Sequence, residues 1–158
     1  MMDRIGQSVE ADPVYSKRIH FTETPAEATA ADALSESAAQ IVRTLSAKAM
    51  ACYTSSGSTA RRIARERAPV PTLVMTSSLA VARRLGLQWG VHAVHTRDVS
   101  SFEEMVGKAR RMALRHHLAM PGDRMVIMAG VPFKTTGSTN VIHVVRLAGD
   151  ELEAYLND

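Results

Sequence analysis

Five short apolar runs, three of them separated from the next by helical patterns, constrain this chain more than any other feature. The runs are residues 48–53, 72–76, 91–94, 125–129 and 140–146. Each is too short for a helix of ordinary length and is bounded by Gly, Pro, Ser or Asn, as buried strands are. Between them lie helix signals. Thr24-Pro25-Ala26-Glu27 reads as an N-cap, a proline at the first helical position and the closing acid of a capping box. Ala30, Leu34, Ala38, Ile41 and Leu45 then recur at spacings of 4, 4, 3 and 4, which is one helical face. A second helix is predicted over about 58–67, ending before Ala68-Pro69-Val70-Pro71. Ser77-Ser78 caps a third that ends near Gly86, and Ser101-Phe102-Glu103-Glu104 opens an amphipathic fourth reaching about His117.

The order α-β-α-β-α-β-α-β-β predicts an α/β fold, a three-layer α/β/α arrangement around a mostly parallel five-stranded sheet. Residues 125–129 are the most apolar run and read as the central strand. The connection from there to 140–146 is too short for a parallel crossover, so the last strand is expected to pair antiparallel with it as a hairpin. Residues 1–23 are irregular in pattern, and Asp12-Pro13 would break any helix beginning at Met1. Residues 148–158 form a polar, acidic tail, leaving 24–147 as the domain proper.

A length of 158 residues suits one domain with a full core. A lone Cys52 excludes an internal disulfide and an all-Cys zinc site. No apolar run approaches the roughly 18–20 residues of a membrane span. The start has no hydrophobic signal region, so the expected address is cytoplasmic, with no membrane partner. The net charge of +3 does not point to nucleic acid. The 15 Arg are scattered in stretches that read as solvated helix faces, such as Arg61-Arg62-Ile63-Ala64-Arg65-Glu66-Arg67, Arg83-Arg84 and Arg110-Arg111. Seven unclustered aromatics offer no stacking platform either.

Two loops could hold a ligand. Thr54, Ser55, Ser56, Gly57, Ser58 and Thr59 lie between a strand and a helix, where open parallel sheets bind ligands. They offer five hydroxyls, backbone N–H groups and a helix N-terminus, with Gly57 permitting close approach. The chemistry suits a phosphate, although a βα turn that merely favours Ser and Gly would look the same. No Gly-Lys-Ser/Thr follows, so ATP hydrolysis is not implied. The second loop is Lys134-Thr135-Thr136-Gly137-Ser138-Thr139-Asn140, again rich in hydroxyls and with one cation. It could close on the same anion or serve only as a hairpin.

Elsewhere the bland readings prevail. His116 and His117 would point about 100° apart on a helix and chelate poorly, and no metal site is expected. Cys52 reads as a buried small hydrophobe, and Met75, Met105, Met112, Met125 and Met128 as core filling. Glu103 and Glu104 complement a helix dipole. No catalytic pair or triad emerges.

Several segments together resemble a known family. Thr54-Ser55-Ser56-Gly57-Ser58-Thr59-Ala60, the Arg83–Gly90 stretch ending in Trp89-Gly90, Gly122-Asp123, Ala129-Gly130-Val131-Pro132 and Gly137-Ser138-Thr139-Asn140 follow the order of the C-terminal domain of pyruvate kinase over about 24–147. Residues 1–22, with Glu10 and Tyr15, resemble the linker from that enzyme's catalytic barrel. The resemblance implies a piece of a bacterial pyruvate kinase, whose parent converts phosphoenolpyruvate and ADP to pyruvate and ATP with magnesium and potassium. That chemistry belongs to the barrel, so no cofactor and no catalysis are expected of this segment alone. It further implies an allosteric phosphate site at Thr54–Thr59, a second contact at Lys134, Thr136, Gly137, Ser138 and Thr139, and a homotetramer.

The resemblance has departures. Members responding to fructose 1,6-bisphosphate carry a Trp and an Arg near the helix that here begins Ser101-Phe102-Glu103-Glu104, and Ser55 and Ser58 stand where many carry Lys and Arg. A sugar monophosphate or AMP is therefore the expected effector. The alternatives are a stand-alone phosphometabolite sensor, a small Rossmann-like transferase, and a domain serving assembly only.

Overall fold

The computed structural model describes residues 2–10, 12, 14–15, 27–132 and 139–148. Helix α1 spans Met2–Glu10 and α2 Ala30–Leu45; strand β1 follows at Ala49–Tyr53 and α3 at Ser58–Arg65. Then come β2 at Thr72–Thr76, α4 at Leu79–Leu85, β3 at Val91–His95 and α5 at Phe102–Arg115. The hairpin strands β4, Arg124–Gly130, and β5, Thr139–Arg146, complete the order.

The five strands form one sheet in the order β3-β2-β1-β4-β5. The pairs β1–β2, β2–β3 and β1–β4 are parallel, and β4–β5 is antiparallel, with Met128 opposite Ile142 and Val126 opposite Val144. The predicted α/β fold and terminal hairpin are therefore present. The central strand is β1, however, and β4 lies one place outward. Hydropathy does not separate the two, because both are buried on both faces and read as unbroken apolar runs.

Chain direction decides which face each helix covers. Right-handed crossovers from β1 to β2 to β3 place α3 and α4 on one face. The return from β3 to β4 runs the opposite way across the sheet and places α5 on the other. Burial alternates accordingly. Ala49, Ala51, Leu73, Met75, Met125 and Ile127 pack with Met105 and Ala109 of α5. Met50, Cys52, Val74, Val126 and Met128 pack with Ala38 and Val42 of α2, Ile63 of α3 and Leu85 of α4. Four of the five methionines expected in the core are fully buried, and Met112 is half-buried.

Two helix starts differ from expectation. Residues 2–10 are helical where the pattern predicts irregular chain, with Met2, Ile5 and Val9 on one exposed stripe. Helix α2 begins at Ala30, not near Thr24, and its N-cap is Thr29, whose side chain accepts from the Asp32 N–H. Thr24, Pro25 and Ala26 lie outside the described residues, but Glu27 is not helical. Its N–H donates instead to Asp32 Oδ2 at 2.6 Å. Tertiary contacts at Asp32, described below, fix this start. Ser78 and Ser101 cap α4 and α5 as expected. The Glu104 carboxylate closes on the backbone N–H and hydroxyl of Ser100 rather than on Ser101. No described helix is long and apolar enough to cross a membrane.

Candidate functional site

The strand order reverses between β1 and β4, because β1 leads outward to β2 while β4 is reached only after the chain returns. In such sheets the crevice at the carboxyl ends of the two strands flanking the reversal is the natural ligand position. Residues 54–59 leave β1 there, and Thr139 enters β5 beside them. Thr59 Oγ1 and Thr139 Oγ1 are 2.8 Å apart and buried, which joins the two loops nominated from the sequence. The other nominated residues of the second loop, Lys134, Thr136, Gly137 and Ser138, lie outside the described residues. The ends of that loop are held together by Asn140, whose side chain accepts from the Val131 N–H at 2.9 Å and donates to the Val131 carbonyl.

Within the first loop the geometry is specific. Thr54 is buried, and its hydroxyl accepts from the Gly57 N–H at 2.9 Å. Ser56 Oγ donates to Ser58 Oγ at 3.1 Å and accepts more weakly from the Ser58 N–H. Gly57 has φ +87°, and a Cβ there would stand 3.2 Å from Leu85 Cδ2. Four of the five hydroxyls are thus already engaged, those of Thr54, Ser56, Ser58 and Thr59, and Ser55 is exposed. Helix α3 begins at once, with Gly57 as N-cap, no side-chain cap and no acid in its first turn. Helices α2, α4 and α5 each carry a hydroxyl cap at the same place. Nothing in the first turn of α3 itself therefore offsets the partial positive charge at its start.

A buried ion-pair network fixes α3 in place. Asp32, 1% exposed, receives Arg62 Nε at 2.7 Å and Arg65 Nη1 at 3.1 Å, and Arg65 also pairs with Glu66 at 3.0 Å. Burial alone raises the Asp32 carboxyl, but the Glu27 N–H, Arg65 and Arg62 outweigh it and hold the group below its ordinary 3.8. Glu27, Asp32, Ser58, Arg61, Arg62 and Arg65 line a shallow hollow of about 280 Å³ at this network.

Sequence reasoning missed one contributor. Arg84 in α4 donates from Nη2 to the Ser56 carbonyl at 3.2 Å, bringing a cation to a loop that has none of its own. Read along the chain, Arg83-Arg84 is only a solvated helix face; 28 residues separate Arg84 from Ser56.

Other candidates fall elsewhere. Cys52 is fully buried, and burial pushes its thiol up to about 12. The rings of His92 and His116 pack 4.6 Å apart between β3 and the end of α5, and burial followed by the nearby His92 lowers His116. Among the described residues no three metal-ligating side chains gather. A larger groove, about 860 Å³, lies at the opposite, amino-terminal ends of the strands, against Arg67, Pro71, Trp89 and Tyr15. None of the nominated residues lines it. There Arg67 stacks over Trp89 at 4.7 Å.

Comparison with known proteins agrees with this architecture. The family model described as pyruvate kinase, alpha/beta domain, matches residues 32–145. The chain is 38% identical over 152 residues to a pyruvate kinase of Methylorubrum extorquens, covering 96% of this chain and 32% of that protein. A pyruvate kinase of Agrobacterium vitis is 38% identical over 154 residues, 97% of this chain and 32% of the relative. One from Geobacillus stearothermophilus is 37% identical over 144 residues, 90% and 24%. The chain thus spans about a third or less of the length of these curated relatives.

Proposed function

The chain belongs to the pyruvate kinase family, as its α/β domain, and from that premise we propose that it binds a phosphorylated metabolite at Thr54–Thr59 and serves its parent enzyme as a regulatory and assembly domain. The parent would transfer phosphate from phosphoenolpyruvate to ADP on a separate catalytic barrel, using magnesium and potassium. This domain would bind the effector, contact the barrel and contribute to a homotetramer.

The observation that carries the reading is the loop's position. A hydroxyl-rich turn opens an α-helix without a side-chain cap, at the strand-order reversal, and is tied by Thr59–Thr139 to the second loop. A phosphate there would meet N–H groups, hydroxyls and the positive end of α3 in one place. The preference for a monophosphate, such as a sugar monophosphate or AMP, rests on the departures from the family pattern: Ser101-Phe102-Glu103-Glu104-Met105 brings no cation to hold a second phosphate, and Ser55 and Ser58 bring none to the loop.

A second reading is a domain retained for assembly only. The observation favouring it is that Thr54, Ser56 and Thr59 already spend their hydroxyls inside the protein.

Thermal denaturation with glucose 6-phosphate, ribose 5-phosphate, AMP and fructose 1,6-bisphosphate separates the two. At a hundred times its dissociation constant, a ligand adds about 2.7 kcal/mol, a rise of roughly 5–10 °C for a domain of this size. We expect that rise with a monophosphate, with little from the bisphosphate, and its loss in Thr54→Ala/Ser56→Ala measured against that variant's own ligand-free melting. Flat melting curves with every ligand would favour the assembly reading.

A further inference from the structure

We propose that Arg84 is a positioning residue for the Thr54–Thr59 loop, holding the Ser56–Gly57 peptide in the orientation that lets the loop accept a phosphate. The proposal rests on the reading of that loop as a phosphate site, and concerns how the site is kept in shape.

The Ser56 carbonyl and the Gly57 N–H belong to one planar peptide and point to opposite sides of it. The structure grips both ends. Thr54 Oγ1 takes the N–H at 2.9 Å, and Arg84 Nη2 donates to the carbonyl at 3.2 Å. The grip matters because the residue that follows is glycine. With φ +87° and no Cβ, Gly57 crosses between left- and right-handed backbone at little cost. Rotating ψ of Ser56 and φ of Gly57 together would turn this peptide over. The carbonyl oxygen would then point to the side its N–H now occupies, and the loop would lose its internal bond to Thr54. Turning the peptide would also move Ser56 and Ser58, whose hydroxyls meet across it, out of the arrangement a phosphate would find.

The charged donor of Arg84 makes the outer hydrogen bond stronger than a neutral one. Leu85, the next residue of α4, packs its side chain under Gly57. One turn of α4 therefore sets both the height of the loop and the direction of its central peptide. Consecutive residues on a helix lie about 100° apart, so exposed Arg84 and buried Leu85 reach the loop from adjoining sides of α4.

The test uses the whole 158-residue chain, glucose 6-phosphate as probe, and the variants Arg84→Met and Arg84→Lys. Arg84 is exposed, so neither variant should move ligand-free melting by more than about 2 °C. Losing a charge-assisted hydrogen bond should weaken binding in Arg84→Met about tenfold or more, and the Lys variant, which keeps a charged donor, should recover most of it. A role in shape also has a signature without ligand. The Gly57 amide resonance should shift or broaden in Arg84→Met and stay near its wild-type position in Arg84→Lys.

An unmoved Gly57 resonance in Arg84→Met overturns the proposal, even if binding weakens, because Arg84 would then act only through its charge. Unchanged affinity overturns it as well. If the wild-type chain itself fails to bind the probe, the phosphate reading and the affinity part fail together, while the Gly57 resonance still decides whether the peptide is held.

Discussion

Replacing Asp32 with Ala is expected to lower stability at neutral pH by about 3 kcal/mol, which for a domain of this size means roughly 6–12 °C in melting temperature. The carboxylate is 1% exposed and is the common partner of Arg62, Arg65 and the Glu27 N–H. Without it two guanidiniums face each other across an empty site. Both are about a quarter exposed, so water recovers part of the loss, which keeps the effect at the lower end for broken buried pairs. In Arg65→Ala the buried carboxylate would keep Arg62 and the Glu27 N–H, so Asp32→Ala should exceed Arg65→Ala. Chemical denaturation of the three proteins checks both statements; equal midpoints for wild type and Asp32→Ala would show the network to be stability-neutral.

The same residue gives a pH signature. Its folded-state value lies below the ordinary 3.8, so the folded protein binds fewer protons than the unfolded chain as the group titrates. Stability from Asp32 is complete above about pH 4 and falls away as pH drops through the lower folded value. The gap between wild type and Asp32→Ala should therefore hold from about pH 5 to 7 and narrow below about pH 3. A gap that widened on acidification would mean that the carboxyl is held protonated.

The second large effect is at Gly57. At φ +87° an L side chain is strained by about 1–2 kcal/mol. A Cβ would also press on Leu85 Cδ2 at 3.2 Å, in a side chain that is itself 1% exposed. Gly57→Ala should cost about 2 kcal/mol, and Gly57→Val, with a β-branched side chain in the same place, about 3 kcal/mol or more. Phosphate binding should disappear in both. Gly90 supplies the control, having φ +67° and nothing within 4 Å of the place a Cβ would take. Gly90→Ala should show the strain alone, and the difference between the two alanine variants measures the contact with Leu85. Equal losses at both positions would mean that Leu85 gives way freely.

Much of the architecture was legible because strands buried on both faces and helices buried on one leave different periodicities. The runs at 48–53, 72–76 and 125–129 are apolar at consecutive positions, and they are the three interior strands. Ser78 and Ser101 announced their helices because capping is settled within three or four residues. Thr24 misled for a complementary reason. It heads a sound local signal, but Thr29 is also a competent cap, and Asp32 has partners 30 and 33 residues away that fix the helix start. Local rules cannot rank two adequate caps when a distant ion pair decides between them.

The loop at 54–59 divides in the same manner. Its residue types and its place between β1 and α3 were visible in the sequence; the positive φ and the Leu85 contact that require glycine at 57 were not. That Thr59 meets Thr139, 80 residues on, and that Arg84 grips the Ser56 carbonyl were not. A segment by itself determines its periodicity, its caps and its turn chemistry, because those energies act over one helical turn or one hairpin. Which strand is central, where α2 begins and which cation reaches the loop depend on side chains meeting across the sheet. Only the packed tertiary structure, in which burial makes an unmet charge or donor costly, decided them.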